Sequence, residues 1–303
     1  MITRWTTLVL GAGASIPFGF PSGQELLNFV VSRLDPVSAP WLATLHALGF
    51  DRNQVFSFRT ALKFSGRNSV DKFLARRPDL VDIGKAAITL ALAPHEIPDR
   101  LFEPSRDAVN WYKYLFDKMD TDWQDFSSNK LAVITFNYDR SLEHFLFTAL
   151  KHSHNKSDEE CASLLSRLPI VHVHGQLGFL PWQGSQPVKD YTQDTPGNTG
   201  EIADTIKIIS ETTDDTPEFQ RAQSILADSE RIYFLGFGYD QTNLRRLGFG
   251  KMRHIPGREI LGTALHMNDK EVRDVANRTG GLIRFPVNAL DTLGFLRNYA
   301  DLT

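Results

Sequence analysis

The chain has 303 residues, 42% of them hydrophobic and 23% charged, enough for a sizeable core in one large domain or two modest ones. Lys plus Arg is 33 and Asp plus Glu is 36, which argues against a surface built throughout to grip nucleic acid or an anionic membrane. A single cysteine, Cys161, allows neither an internal disulfide nor a four-cysteine zinc site. A local basic patch remains around Arg245, Arg246, Lys251 and Arg253. Leu8-Val9-Leu10 is too short for a signal-peptide core, and no window approaches the roughly 20 apolar residues of a membrane span. The expected setting is reducing and cytoplasmic.

The first predicted element is a strand, Thr6 to Leu10, ending in Gly11-Ala12-Gly13-Ala14-Ser15. A helix follows from an N-cap at Ser22 to about Leu34. Residues 36–125 contain little that reads as strand. Helical spacing predicts helices at about 39–48, 53–64, 69–75, 79–93 and 105–119, with Pro36, Pro78, Pro94 and Pro104 at the breaks. The expected organisation is therefore an α/β domain over 1–35 and 126–303, carrying an inserted helical module over 36–125.

The sheet resumes at Leu131–Phe136, which runs into Asn137-Tyr138-Asp139. Helices are predicted at about 140–151 and 157–167. The next strand, Ile170–Val173, ends in His174-Gly175. Residues 176–204, rich in Gly, Pro, Gln, Asp and Thr, read as a long loop or lid. A helix over 217–229 leads to the strand Arg231–Leu235 and to Gly236-Phe237-Gly238. Strands at about 259–266 and 281–285 alternate with helices at about 269–278 and 288–300. This alternation predicts a doubly wound, mainly parallel sheet of Rossmann-like type, with helices on both faces. Ligands bind such sheets beyond the carboxyl ends of the strands, so four polar or glycine-bearing strand ends converge on one edge.

Each of those ends has two readings. Gly11, Ala12, Gly13 and Ser15 form either a tight turn or a loop that wraps a diphosphate. Ile16 stands where a dinucleotide fingerprint has its third glycine. Gly236 and Gly238 have the same two readings. Asn137 either caps the following helix or holds a ribose hydroxyl or an attacking water. Asp139 is either an acid at a helix start or a contact to a nicotinamide amide. Asn243 is either a cap or a ribose or adenine contact. His174 can serve as a general base, whereas His172, two residues deeper on the same strand face, reads as a core histidine. Neither an HxxxH pair nor a Cys/Asp set completes a metal site, and no metal is expected.

Together these segments resemble the SIR2-like family. Gly11–Ser15 is similar to its GAGxS loop, Thr135–Asp139 to its T-x-N-x-D segment, and His174-Gly175 to its HG motif. Phe234–Asp240 followed by Asn243, and Ser69–Leu74, resemble segments of the bacterial SIR2-like branch. The resemblance implies NAD⁺ as substrate, with Asn137 and His174 as catalytic pair. It places Gly11, Ala12, Gly13, Ser15, Asp139, Gly236, Gly238 and Asn243 at the dinucleotide. The four-cysteine zinc module of the sirtuin deacylases is absent, which points towards the NAD⁺ hydrolases of antiphage defence. Such an enzyme must be restrained in a healthy cell. A homo-oligomer is therefore expected, with a separate sensor or HerA-like ATPase as partner and 176–204 as a gate. The alternatives are an ADP-ribosyl transferase, a deacylase-type use of NAD⁺, a non-catalytic module sensing NAD⁺ or ADP-ribose, and an unrelated α/β nucleotide enzyme.

Overall fold

Runs of apolar residues too short for helices become five strands: β1 (Thr6–Leu10), β2 (Leu131–Thr135), β3 (Ile170–His172), β4 (Arg231–Leu235) and β5 (Glu259–Gly262). The computed structural model describes residues 1–37, 40–103, 110–286 and 289–303. The five strands form one sheet in the order β3-β2-β1-β4-β5, and every pairing is parallel. Alternate residues serve opposite faces. Leu8, Leu10 and Val133 enter one core, while Val9, Ile134 and Phe234 enter a second. Both faces are covered, which is why the strand centres are continuous apolar runs, with polar residues such as Thr6, Thr135, Arg231 and Glu259 at the strand ends.

Among the described residues, seven α-helices lie between β1 and β2: α1 (Gly23–Arg33), α2 (Leu42–Ala47), α3 (Arg52–Lys63), α4 (Val70–Leu74), α5 (Val81–Leu92), α6 (Pro98–Phe102) and α7 (Trp111–Met119). α1 starts at Ser22, whose hydroxyl accepts from the Glu25 amide while the Glu25 carboxylate accepts from the Ser22 amide, satisfying two free helix donors. α5 is buried at every position from Ile83 to Leu92, as a mostly apolar helix should be, and its one buried cation, Lys85, pairs with Glu211 at 2.6 Å. Leu45, Phe58 and Leu90 from this stretch share one core with Leu8 and Val133 of the sheet.

Between β2 and β3 come α8 (Ser141–His154) and α9 (Asp158–Leu165); between β3 and β4 come α10 (Thr199–Asp204) and α11 (Pro217–Asp228). α12 (Gln241–Arg246) follows β4, and α13 (Asp269–Arg278) and α14 (Thr292–Asn298) follow β5. No helix among the described residues is long and apolar enough to cross a membrane.

The structure departs from expectation in several places. The strand expected at 281–285 contributes a single parallel bridge, Arg284 to Leu261. Gly280 and Gly281, at φ 61° and 75°, turn the chain so that it meets β5 for one residue only. The strand expected at 259–266 stops at Gly262 because the chain turns outward, with His266 at φ 67°. The short helices α6, α10 and α12 were not expected from the sequence. Residues 176–204 are largely irregular, as expected, but packed: Leu177, Leu180, Tyr191 and Ile202 are buried. Residue 39, residues 105–109 and residue 288, where three helices were expected to begin, lie outside the described residues.

Candidate functional site

The strand ends are level. Leu10 pairs with both Thr135 and Leu235, and Thr135 pairs with His172. The chain leaves β1 towards β2 on one side, and β4 lies on the other. Crevices form where the chain order reverses in this way. Here a cavity of about 1080 Å³ opens there, bounded by Gly13, Gly236, Phe237, Gly238, Thr263 and Asp274.

The two glycine loops interlock before they meet any ligand. The Gly13 amide donates to the Gly236 carbonyl at 3.0 Å. A Cβ on Gly11 would lie 2.6 Å from that carbonyl oxygen, and one on Gly13 would lie 2.8 Å from the Gly236 Cα. Gly236 itself sits at φ 56°, where a Cβ would stand 2.1 Å from the Ala14 amide. All three positions exclude a side chain by contact, and at Gly236 L-residues also resist the φ. Gly238 is different: a Cβ there meets nothing within 4 Å.

Asn137 faces the first loop. Its Nδ2 donates to the Gly11 carbonyl and to Ser15 Oγ, both at 3.0 Å, and its Oδ1 has no partner among the described residues. Ser15 Oγ in turn donates to Asp139 Oδ2 at 2.8 Å. Asp139 Oδ1 accepts from the Ser141 amide and hydroxyl. Asp139, not Asn137, therefore serves the start of α8. Burial raises the Asp139 pKa, against the lowering effect of the Ser141 and Ser15 donors. A void of about 10 Å³ lies among Ser15, Thr135, Asn137, Asp139 and Glu143, about the space of one water.

His172 is a satisfied core histidine, as expected. Its Nε2 lies 2.5 Å from Glu143 Oε1 and its Nδ1 3.0 Å from the Asn137 carbonyl. Burial opposes its charge, but the Glu143 carboxylate and the Asn137 carbonyl outweigh burial, and the pKa is raised. The two contacts fix the ring against the Asn137 main chain.

His174 is the opposite case. It is 5% exposed, its Nδ1 has only a long contact to Thr212 Oγ1 at 3.4 Å, and its Nε2 is buried with no partner. Burial, and then the Arg246 guanidinium, push its pKa down to about 4, against a smaller upward pull from Asn243. Asn243 Oδ1 and Arg246 Nε are also buried without a hydrogen bond, although Asp214 Oδ1 lies 4.0 Å from Arg246 Nε. Such atoms are rare in folded proteins, and three of them gather around one ring.

Of the residues singled out in the sequence, Gly13, Gly236 and Gly238 line the large cavity. Asn137, Ser15 and Asp139 surround the small void. Gly11 is buried beneath the loop, and Ala12 points outward without lining the cavity. His174 is reached from the cavity through two rings. Phe237 lines the cavity, lies 4.9 Å from Phe136, and Phe136 lies 5.5 Å from His174. Asn243 does not cap α12. Asp240 does, accepting from the Thr242 amide at 2.9 Å, and Asn243 lies within the helix.

The expected basic patch is partly spent inside the protein. Arg246 is buried and donates to Thr212 Oγ1 and the Ile209 carbonyl, and Arg245 pairs with Asp214. Sequence reasoning missed Arg100, Thr263, His266 and Asp274 on the cavity surface. No local pattern marks them, because their placement depends on how distant elements pack. Among the described residues no cluster of His, Cys, Asp and Glu could hold a metal ion. No model of a known protein family matches the chain, and no curated protein does.

Proposed function

We propose that the protein is a SIR2-like NAD⁺ glycohydrolase, releasing nicotinamide and ADP-ribose and serving as a regulated antiphage-defence effector. The observation that carries the proposal is the pair of buried polar atoms without a hydrogen bond, His174 Nε2 and Asn243 Oδ1, with His174 behind the Phe136 and Phe237 rings of a crevice framed by two glycine loops. A ribose bearing two hydroxyls is a group that could satisfy such atoms. The free Oδ1 of Asn137 offers a further acceptor.

The bond between nicotinamide nitrogen and ribose C1′ breaks with its electron pair passing to nitrogen, which neutralises the pyridinium. The leaving group needs no acid. The transition state resembles an oxocarbenium ion, so the protein's task is to orient the sugar, exclude bulk water and admit one water. That water's oxygen bonds to C1′ and its proton passes to His174 Nε2, then to solvent. A ring with a pKa of about 4 is neutral and able to accept at pH 7. General-base help is worth on the order of 10²–10⁴-fold. Reaching His174 requires Phe136 and Phe237 to part.

The test is nicotinamide release from NAD⁺ by the purified protein. His174→Ala should lower turnover by about 10²–10⁴-fold, and Asn137→Ala should abolish it, with both variants folded. Near-normal turnover in both would overturn the assignment.

One observation favours a second reading. Neither Asn137 nor His174 lines the large cavity, which is the arrangement of a module that binds NAD⁺ or ADP-ribose without cleaving it. Binding of ADP-ribose with no nicotinamide release from NAD⁺ would identify that module.

A further inference from the structure

We infer, on the reading that the cavity takes a dinucleotide, that Arg100 of the helical insertion is a binding residue for its diphosphate. Arg100 lies on α6, in a stretch where no functional residue was expected, and it lines the cavity together with Gly13 and Gly19. Gly19 is at φ 90°, and a Cβ there would stand 2.6 Å from Arg100 Nη1. The absence of a side chain at Gly19 is what lets the guanidinium lie against the glycine-bearing segment. His95 Nδ1 donates to the Gly19 carbonyl at 2.7 Å, tying the same point to the insertion from behind.

The guanidinium has no hydrogen bond and no ion pair among the described residues. The arginines buried among the described residues are, by contrast, committed: Arg140 to Glu96, Arg231 to Asp301, Arg246 to Thr212. Arg278 also lines the cavity, but Glu271 and Asp274 of its own helix line it too and offset its charge. Arg100 is thus a cation with five free donors beside Gly19, on the wall of the cavity that the glycine loops also line. A planar fork of this kind matches a phosphate group. The insertion and the sheet domain would both hold the ligand, from opposite sides of the glycine-bearing segment.

The experiment measures ADP, ADP-ribose and adenosine binding by calorimetry, to wild type, Arg100→Ala and Arg100→Lys. Arg100→Ala should weaken ADP and ADP-ribose on the order of ten- to a hundredfold and leave adenosine within about twofold. Arg100→Lys should lie between, since it keeps charge and loses the fork. Thermal melting of all three proteins should coincide, because the residue is exposed. Unchanged ADP binding in Arg100→Ala, or an equal loss for adenosine, overturns the assignment. The hydrolase reading fails separately: Arg100-dependent ADP binding without nicotinamide release from NAD⁺ leaves the phosphate contact standing. A wild type that binds neither ADP nor ADP-ribose overturns both.

Discussion

His174 and His172 lie two residues apart and are driven in opposite directions. His172 meets a carboxylate and a carbonyl, which raise its pKa; His174 is buried among aromatic rings beside an arginine, and its pKa is lowered to about 4. The sign for His174 follows from its folded value of about 4 against an ordinary 6.5. The unfolded chain binds more protons between those values, so the associated stability is fully present above 6.5 and is lost as pH falls towards 4. The full loss is worth up to about 3 kcal/mol. His144 is lowered to about 4 as well, so the share of His174 must be isolated by difference. In urea titrations, His174→Gln should lose about 2 kcal/mol less than wild type on going from about pH 7 to about pH 4.5. Equal losses would place the ring in a polar setting. Turnover should share this insensitivity and persist to about pH 5, failing only as the ring takes its proton.

At the scale of elements, the segment after β3 is held by charge. Glu96 follows α5, Arg140 precedes α8, and Lys189 lies in the irregular stretch 176–204; all three are buried. Glu96 accepts from Arg140 Nε at 3.0 Å and from Lys189 Nζ at 2.6 Å. Arg140 Nη1 also donates to the Lys189 carbonyl at 2.7 Å. One carboxylate thus serves two cations and joins the insertion, α8 and the loop. Glu96→Gln would leave both cations buried without a counter-charge, and the expected loss is about 3–5 kcal/mol by urea denaturation. A loss below about 1 kcal/mol would mean that the stretch is free to open as a lid. The composition of 176–204 predicted an open loop because its Gly, Pro and Asp residues break regular structure. It did not reveal Lys189 as an anchor, since the partner lies 93 residues away.

Across the whole molecule, what the sequence disclosed was what is local. Buried parallel strands are short apolar runs, and their polar or glycine ends were readable at Gly11, Asn137, His174 and Gly236. Parallel pairing then put those ends at one edge. The cavity surface was not readable. Arg100 arrives from α6, between β1 and β2, and Asp274 from a helix beyond β5, so their meeting depends on packing of distant parts of the chain. The relation between His174 and the crevice was hidden for the same reason: Phe136 and Phe237 meet only when β2 and β4 flank β1. The most direct test is a crystal structure of the protein with ADP-ribose bound. The account predicts the diphosphate beside Gly13 and Gly236, Phe237 turned away from Phe136, and the distal ribose within hydrogen-bonding reach of Asn137 Oδ1 and His174 Nε2. A ligand whose distal ribose points to solvent, over an undisturbed pair of rings, would contradict it.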